Sequence, residues 1–137
     1  MKRSKLVLSA IGAGLVMWVV AGLWHNLILP GLYSHRHAAH DGIGMLLLAY
    51  LLLGGFMAGI YGRLRPLRVN FLWNGVIWGA MIGVLWVLPH GLAMVGAHGE
   101  SWLYVLKNTA WHAVEQGIGG ITIALILRNK DVGQTCA

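Results

Sequence analysis

Four long apolar segments dominate this chain and constrain what it can fold into. Each has about 20 residues, the length that an α-helix needs to cross the hydrocarbon core of a bilayer. The segments are Leu6–Leu29, Ile43–Gly62, Phe71–Leu88 and Leu103–Leu127. The chain is 58% hydrophobic and only 10% charged, against about 25% charged residues in soluble domains. We therefore predict an all-α fold, a four-transmembrane-helix bundle, with residues 1–137 forming a single integral membrane domain.

The ends of the first and third segments are marked by proline. Pro30 follows the first and Pro89 the third, and proline is a helix-stop signal. The basic start of the chain followed by an apolar run could instead be a signal peptide. The run is longer than the apolar part of a signal peptide, and no clear cleavage site follows it. We interpret it as the first span.

Lysine and arginine are distributed unevenly between the two sides of the predicted bundle. Eight of the ten lie on one side: Lys2, Arg3, Lys5, Arg63, Arg65, Arg68, Arg128 and Lys130. Basic residues are retained in the cytoplasm, so this pattern predicts that both termini are cytoplasmic and that the two longer loops lie outside. Flanking charges of this kind also explain the net charge of +6, so we predict no nucleic-acid partner.

Glycines recur at four-residue spacing in two of the segments. Gly75, Gly79 and Gly83 do so in the third, and Gly55 and Gly59 in the second. Small residues at this spacing let helices approach closely in lipid. They predict contacts within the bundle or, alternatively, self-association or contacts with other membrane subunits.

Histidines cluster on the predicted outer side and are the candidate metal ligands. The set comprises His25, His35, His37, His40, Asp41, His90 and His98. Imidazole is the commonest transition-metal ligand in proteins, so the pattern is consistent with copper or zinc. Alternatively, these side chains are solvated interface residues or sense pH.

The fourth segment contains an acid where lipid is expected. At 100° per residue, His112 and Glu115 share one face of a helix, and at i and i+3 they can touch or share a ligand. This candidate cofactor-binding pair has three possible interpretations. It could be a buried proton relay, a haem or chlorin site with His112 as axial ligand, or a structural contact to Asn26, Asn74 or another subunit.

Motifs of soluble enzymes are absent. No H-E-x-x-H, G-x-S-x-G, Walker or Rossmann pattern occurs, so a non-enzymatic role is favoured. The single cysteine, Cys136, can form no intramolecular disulfide.

The arrangement resembles a family of small four-span bacterial membrane proteins of unknown function. The matching residues are Gly22–Leu23–Trp24 with Pro30, Gly79–Gly83, and Gly99–Trp102. The resemblance implies the four-span fold and carries over no activity. The histidine loop and His112 depart from its pattern.

Together these observations predict a small membrane subunit or binding module of the bacterial inner membrane. It would pack into an oligomer or larger complex and bind a transition metal or tetrapyrrole through the outer histidines and His112. The alternative is a small transporter or proton-conducting protein in which His112 and Glu115 form a buried relay.

Overall fold

The computed structural model of the protein describes residues 3–25, 42–64 and 69–128. They form four α-helices: α1, Arg3–Leu23; α2, Gly42–Tyr61; α3, Phe71–His98; and α4, Trp102–Leu127. All four are long and apolar enough to cross a membrane. The predicted all-α, four-helix membrane architecture is therefore confirmed.

Helix α3 is longer than its sequence predicted. It runs through Pro89 and ends ten residues beyond Leu88, at His98, so the prediction that Pro89 stops it was wrong. Proline removes one backbone hydrogen bond, but membrane helices tolerate this where neighbouring helices pack against the site. Here a Cβ on Gly91 would meet the Val105 side chain of α4. Gly99 caps the end of the helix, and its φ of 68° suits glycine.

Close packing of α3 on α4 uses the three predicted glycines. Added Cβ atoms at Gly75, Gly79 and Gly83 would collide with backbone carbonyls of Gly120, Gln116 and His112, respectively. The two backbones therefore touch along about three turns, as small residues permit in lipid. This glycine face of α3 is covered by α4 and is therefore not available to another subunit.

The pairing of α1 with α2 uses a different glycine from the predicted one. A Cβ on Gly54 would collide with the backbone of Ala10 and Gly14, whereas one on Gly55 would meet nothing within 4 Å. A Cβ on Gly59 would approach only the side chain of Arg63, just beyond the end of α2. The prediction that Gly55 and Gly59 pack within the bundle was therefore wrong, because α1 covers the adjacent face of α2, the one that carries Gly54. Their alternative role, in contact with another subunit, stays a prediction.

The four helices form a bundle that is incompletely closed. Extensive contacts link α2 to α1, α1 to α4, and α4 to α3, whereas α2 barely touches α3 or α4. The buried core lies mainly between α1, α2 and α4, around Met17, Met57 and Ile123. A cleft remains between α2 and α3, and α4 forms its floor.

Candidate functional site

Glu115 is the most deeply buried ionisable group among the described residues. Its side chain is 0% exposed, although it lies in the middle of a helix that can cross a membrane. An acid at the centre of a bilayer costs at least about 2.5 kcal/mol. The helices around it therefore have to supply polar neighbours.

His112 is the first such neighbour. Its Nδ1 lies 3.1 Å from Oε2 of Glu115, as the i, i+3 spacing predicted. Neither atom has a hydrogen bond of standard geometry to a described residue, so the contact is electrostatic. His112 is still 24% exposed, which makes it the accessible member of the pair.

Two further polar side chains reach the pair from other helices. Tyr50 of α2 and His25, just beyond α1, are both close enough to interact electrostatically with Glu115. His25 also interacts with His112. His25, which was predicted among the outer-side histidines, therefore lies close to His112.

A stack of two tryptophan rings holds the end of α1 against α4, next to His112. The rings of Trp24 and Trp111 lie 3.9 Å apart between centroids, with 10° between their planes. Because Trp24 and Trp111 immediately precede His25 and His112, the stack holds the two histidines close together. Trp24 is therefore a contact within the bundle.

Gln116 completes the group that we name the Glu115 cluster: His25, Tyr50, His112, Glu115 and Gln116. Its side chain is 0% exposed, and neither its nitrogen nor its oxygen has a hydrogen-bond partner among the described residues. A buried amide without partners costs roughly 1–3 kcal/mol. Gln116 was not among the predicted site residues, although its position next to Glu115 in a membrane span was a signal that could have identified it.

The Glu115 cluster adjoins the cleft between α2 and α3. The cleft has a volume of about 450 Å³, within the range of about 300–1,000 Å³ typical of small-molecule sites. Its floor includes Tyr50, His112 and Gln116, and apolar side chains form the rest of the lining: Leu46, Ala49, Leu52, Leu53, Phe56 and Trp86. The cleft therefore combines apolar walls with a polar floor.

A second, smaller cavity of about 240 Å³ lies between the ends of α3 and α4. His90 and Glu100 line it together with Tyr104 and Asn108. This places His90 away from the cleft that holds His112.

The predicted metal ligands are only partly within the described residues. Across residues 3–25, 42–64 and 69–128, no three His, Cys, Asp or Glu side chains group to hold a metal ion. His25, His90 and His98 are thus not brought together. His35, His37, His40 and Asp41 lie outside the described residues, so metal binding by the outer loop stays a prediction.

Comparison with protein-family models, with curated proteins and with solved structures finds no match to this chain.

Proposed function

We propose that this small multi-pass membrane protein is a binding module whose ligand site is the Glu115 cluster together with the adjoining cleft. The observation that carries the proposal is the lack of hydrogen-bond partners for the buried Gln116 amide among the described residues. This amide is completely buried at the floor of the cleft. A bound molecule with a polar group would supply the missing hydrogen bonds.

We also propose that the protein lies in the inner membrane of a bacterium with both of its termini in the cytoplasm. The distribution of lysine and arginine supports cytoplasmic termini and the inner membrane of a bacterium. Packing into an oligomer or a larger complex is also proposed. Outward-facing glycines of α2, such as Gly44 and Gly55, leave room there for another helix.

The test is to identify what the protein carries after purification in a mild detergent. Solvent extraction and mass spectrometry should find a small molecule in the unaltered protein and little of it in a Gln116→Leu variant. Visible absorption and elemental analysis of the same samples test the tetrapyrrole and metal predictions. A folded protein that carries no molecule, metal or pigment would contradict the proposal.

A second candidate function is proton conduction, which the 3.1 Å approach of His112 to Glu115 favours. Ionisable groups inside a membrane often form proton relays, and His25 and Tyr50 could extend this one. Liposomes containing the protein should then show proton flux that Glu115→Gln abolishes. Flux equal in the variant and the unaltered protein would remove this candidate.

A further inference from the structure

The charge of the Glu115 cluster limits what can bind beside it. The groups facing Glu115 are His25 from the end of α1, Tyr50 from α2 and His112 from α4 itself. On α3, Gly79 and Gly83 pack against the backbones of Gln116 and His112 and carry no side chain there. Within the described helices, no lysine or arginine forms an ion pair with Glu115. Among the residues that the structure describes, the carboxyl group therefore has no permanent cation as its partner.

One proton makes the His112–Glu115 pair electrically neutral. It resides either on the carboxyl group or on the imidazole, and the net charge of the pair is zero in both cases. A low-dielectric site disfavours any net charge. If a cation enters, the pair restores neutrality by releasing this proton, whereas an anion would require a second proton to be taken up.

The walls of the cleft also favour a cation with an apolar body. Three aromatic rings line it, those of Tyr50, Phe56 and Trp86, and aromatic faces attract cations, especially where water is excluded. The remaining wall residues are leucine and alanine. Phe56 and Trp86 are more than half exposed on helices long and apolar enough to cross a membrane, so the cleft opens toward the lipid.

We propose that the cleft between α2 and α3 takes up a lipophilic organic cation from the bilayer in exchange for the proton of the His112–Glu115 pair. This inference rests on the proposed function and specifies the chemical class of its ligand. The exchange is balanced: one cation enters, one proton leaves, the carboxylate becomes the counter-ion, and no covalent bond is made between ligand and protein.

Tetraphenylphosphonium is a suitable probe for the full-length protein in detergent. We expect saturable binding, measured by calorimetry, with up to one proton released per cation in weakly buffered solution. Because the proton and cation compete, acidification should weaken binding by up to about tenfold per pH unit. Binding without proton release and without pH dependence would overturn the proposal.

Two variants and one control separate the parts of the site. Glu115→Gln should abolish proton release and weaken binding about tenfold or more, whereas Phe56→Leu should weaken binding severalfold and leave proton release intact. Glu100→Gln, at the second cavity, should change neither. Circular dichroism establishes that each variant is folded. Unchanged binding and proton release in folded Glu115→Gln would contradict the proposal.

Triphenylphosphine oxide, a neutral molecule of similar shape, distinguishes this inference from the proposed function. We expect it to bind at least tenfold more weakly than the cation. If it binds equally well, the cation class is wrong and the ligand site itself stands. If neither probe binds, the inference fails, while the proposed function is judged separately by the molecule that purifies with the protein.

Discussion

Glu115 is a buried carboxyl group whose hydrogen bonding to the described residues is incomplete. Both of its oxygens lack a partner of standard geometry among the described residues, although His112 and Tyr50 are adjacent. Buried polar groups that have only a structural role usually form hydrogen bonds with their neighbours. The incomplete satisfaction of Glu115 and Gln116 therefore favours a site that a ligand or proton completes.

Substitutions at Glu115 should affect stability according to whether they preserve the shape of the side chain. Glu115→Gln keeps the shape and removes the ionisable group, so the melting temperature should stay the same or rise. Glu115→Ala leaves a cavity and should cost about 2–4 kcal/mol. Thermal unfolding in detergent, followed by near-ultraviolet circular dichroism, measures both. If Gln destabilises as much as Ala, the carboxyl group is a structural contact rather than a functional one.

The part of the site that lies on one helix was predictable. The i, i+3 spacing of His112 and Glu115 fixes their contact whatever surrounds them. The contributions of Tyr50 and of the Trp24–Trp111 stack were not predictable. They depend on how α2 and α1 are rotated and shifted against α4, and the uniformly apolar composition of these helices leaves both undetermined.

Helix pairing in this protein depends on which glycines face a neighbour. In α2, Gly54 is buried against α1 and Gly55 lies beside it facing open space. Both precede another small residue by four positions, Ala58 and Gly59 respectively. A spacing rule thus selects two candidate faces in α2, and only the packed structure distinguishes them.

The two glycines provide a matched pair of substitutions. Gly54→Ala should destabilise the protein by about 1–3 kcal/mol, because its methyl group would collide with the Ala10 carbonyl and force α1 away. Gly55→Ala should be neutral or stabilise by up to about 1 kcal/mol, since alanine favours the helix. Unfolding with a denaturing detergent measures the difference. Equal effects would contradict the pairing of α1 with α2.

Helix boundaries were predictable to different degrees. The observed α2 and α4 begin and end within one residue of the predicted segments, because polar loops bound them. For α3, the prediction that Pro89 ends the helix is appropriate to a soluble protein, where a proline inside a helix costs roughly 3 kcal/mol. In lipid, ending the helix would leave backbone N–H and C=O groups without partners, and this costs more than the proline does. The helix therefore continues to His98, and Gly99 caps it with a positive φ.

The whole molecule is organised as two helix pairs, α1 with α2 and α3 with α4, joined by the contact of α1 with α4. Because α2 and α3 scarcely meet, one side of the bundle stays open. The Glu115 cluster lies where the two pairs meet. A ligand in the cleft would contact both pairs, and this would couple its binding to their separation.

Orientation in the membrane can be tested with single cysteines. After Cys136→Ser, a cysteine in place of Ser101, between α3 and α4, should react with an impermeant maleimide in intact bacterial spheroplasts. One in place of Gly62, after α2, should react only after lysis. The positive charges near Gly62 are the reason for this expectation. The reverse pattern would invert the proposed topology.

The lateral opening of the cleft predicts direct contact between Trp86 and lipid. Trp86 is 64% exposed at the cleft, whereas Trp111 is only 9% exposed and stacked on Trp24. In liposomes, lipids brominated in the middle of their acyl chains quench the fluorescence of tryptophans that they touch. Trp86→Phe should therefore lower the quenched fraction of the total emission, and Trp111→Phe, the matched control, should raise it. If Trp86→Phe leaves that fraction unchanged, protein rather than lipid covers the cleft, and a ligand would have to reach the Glu115 cluster by another route.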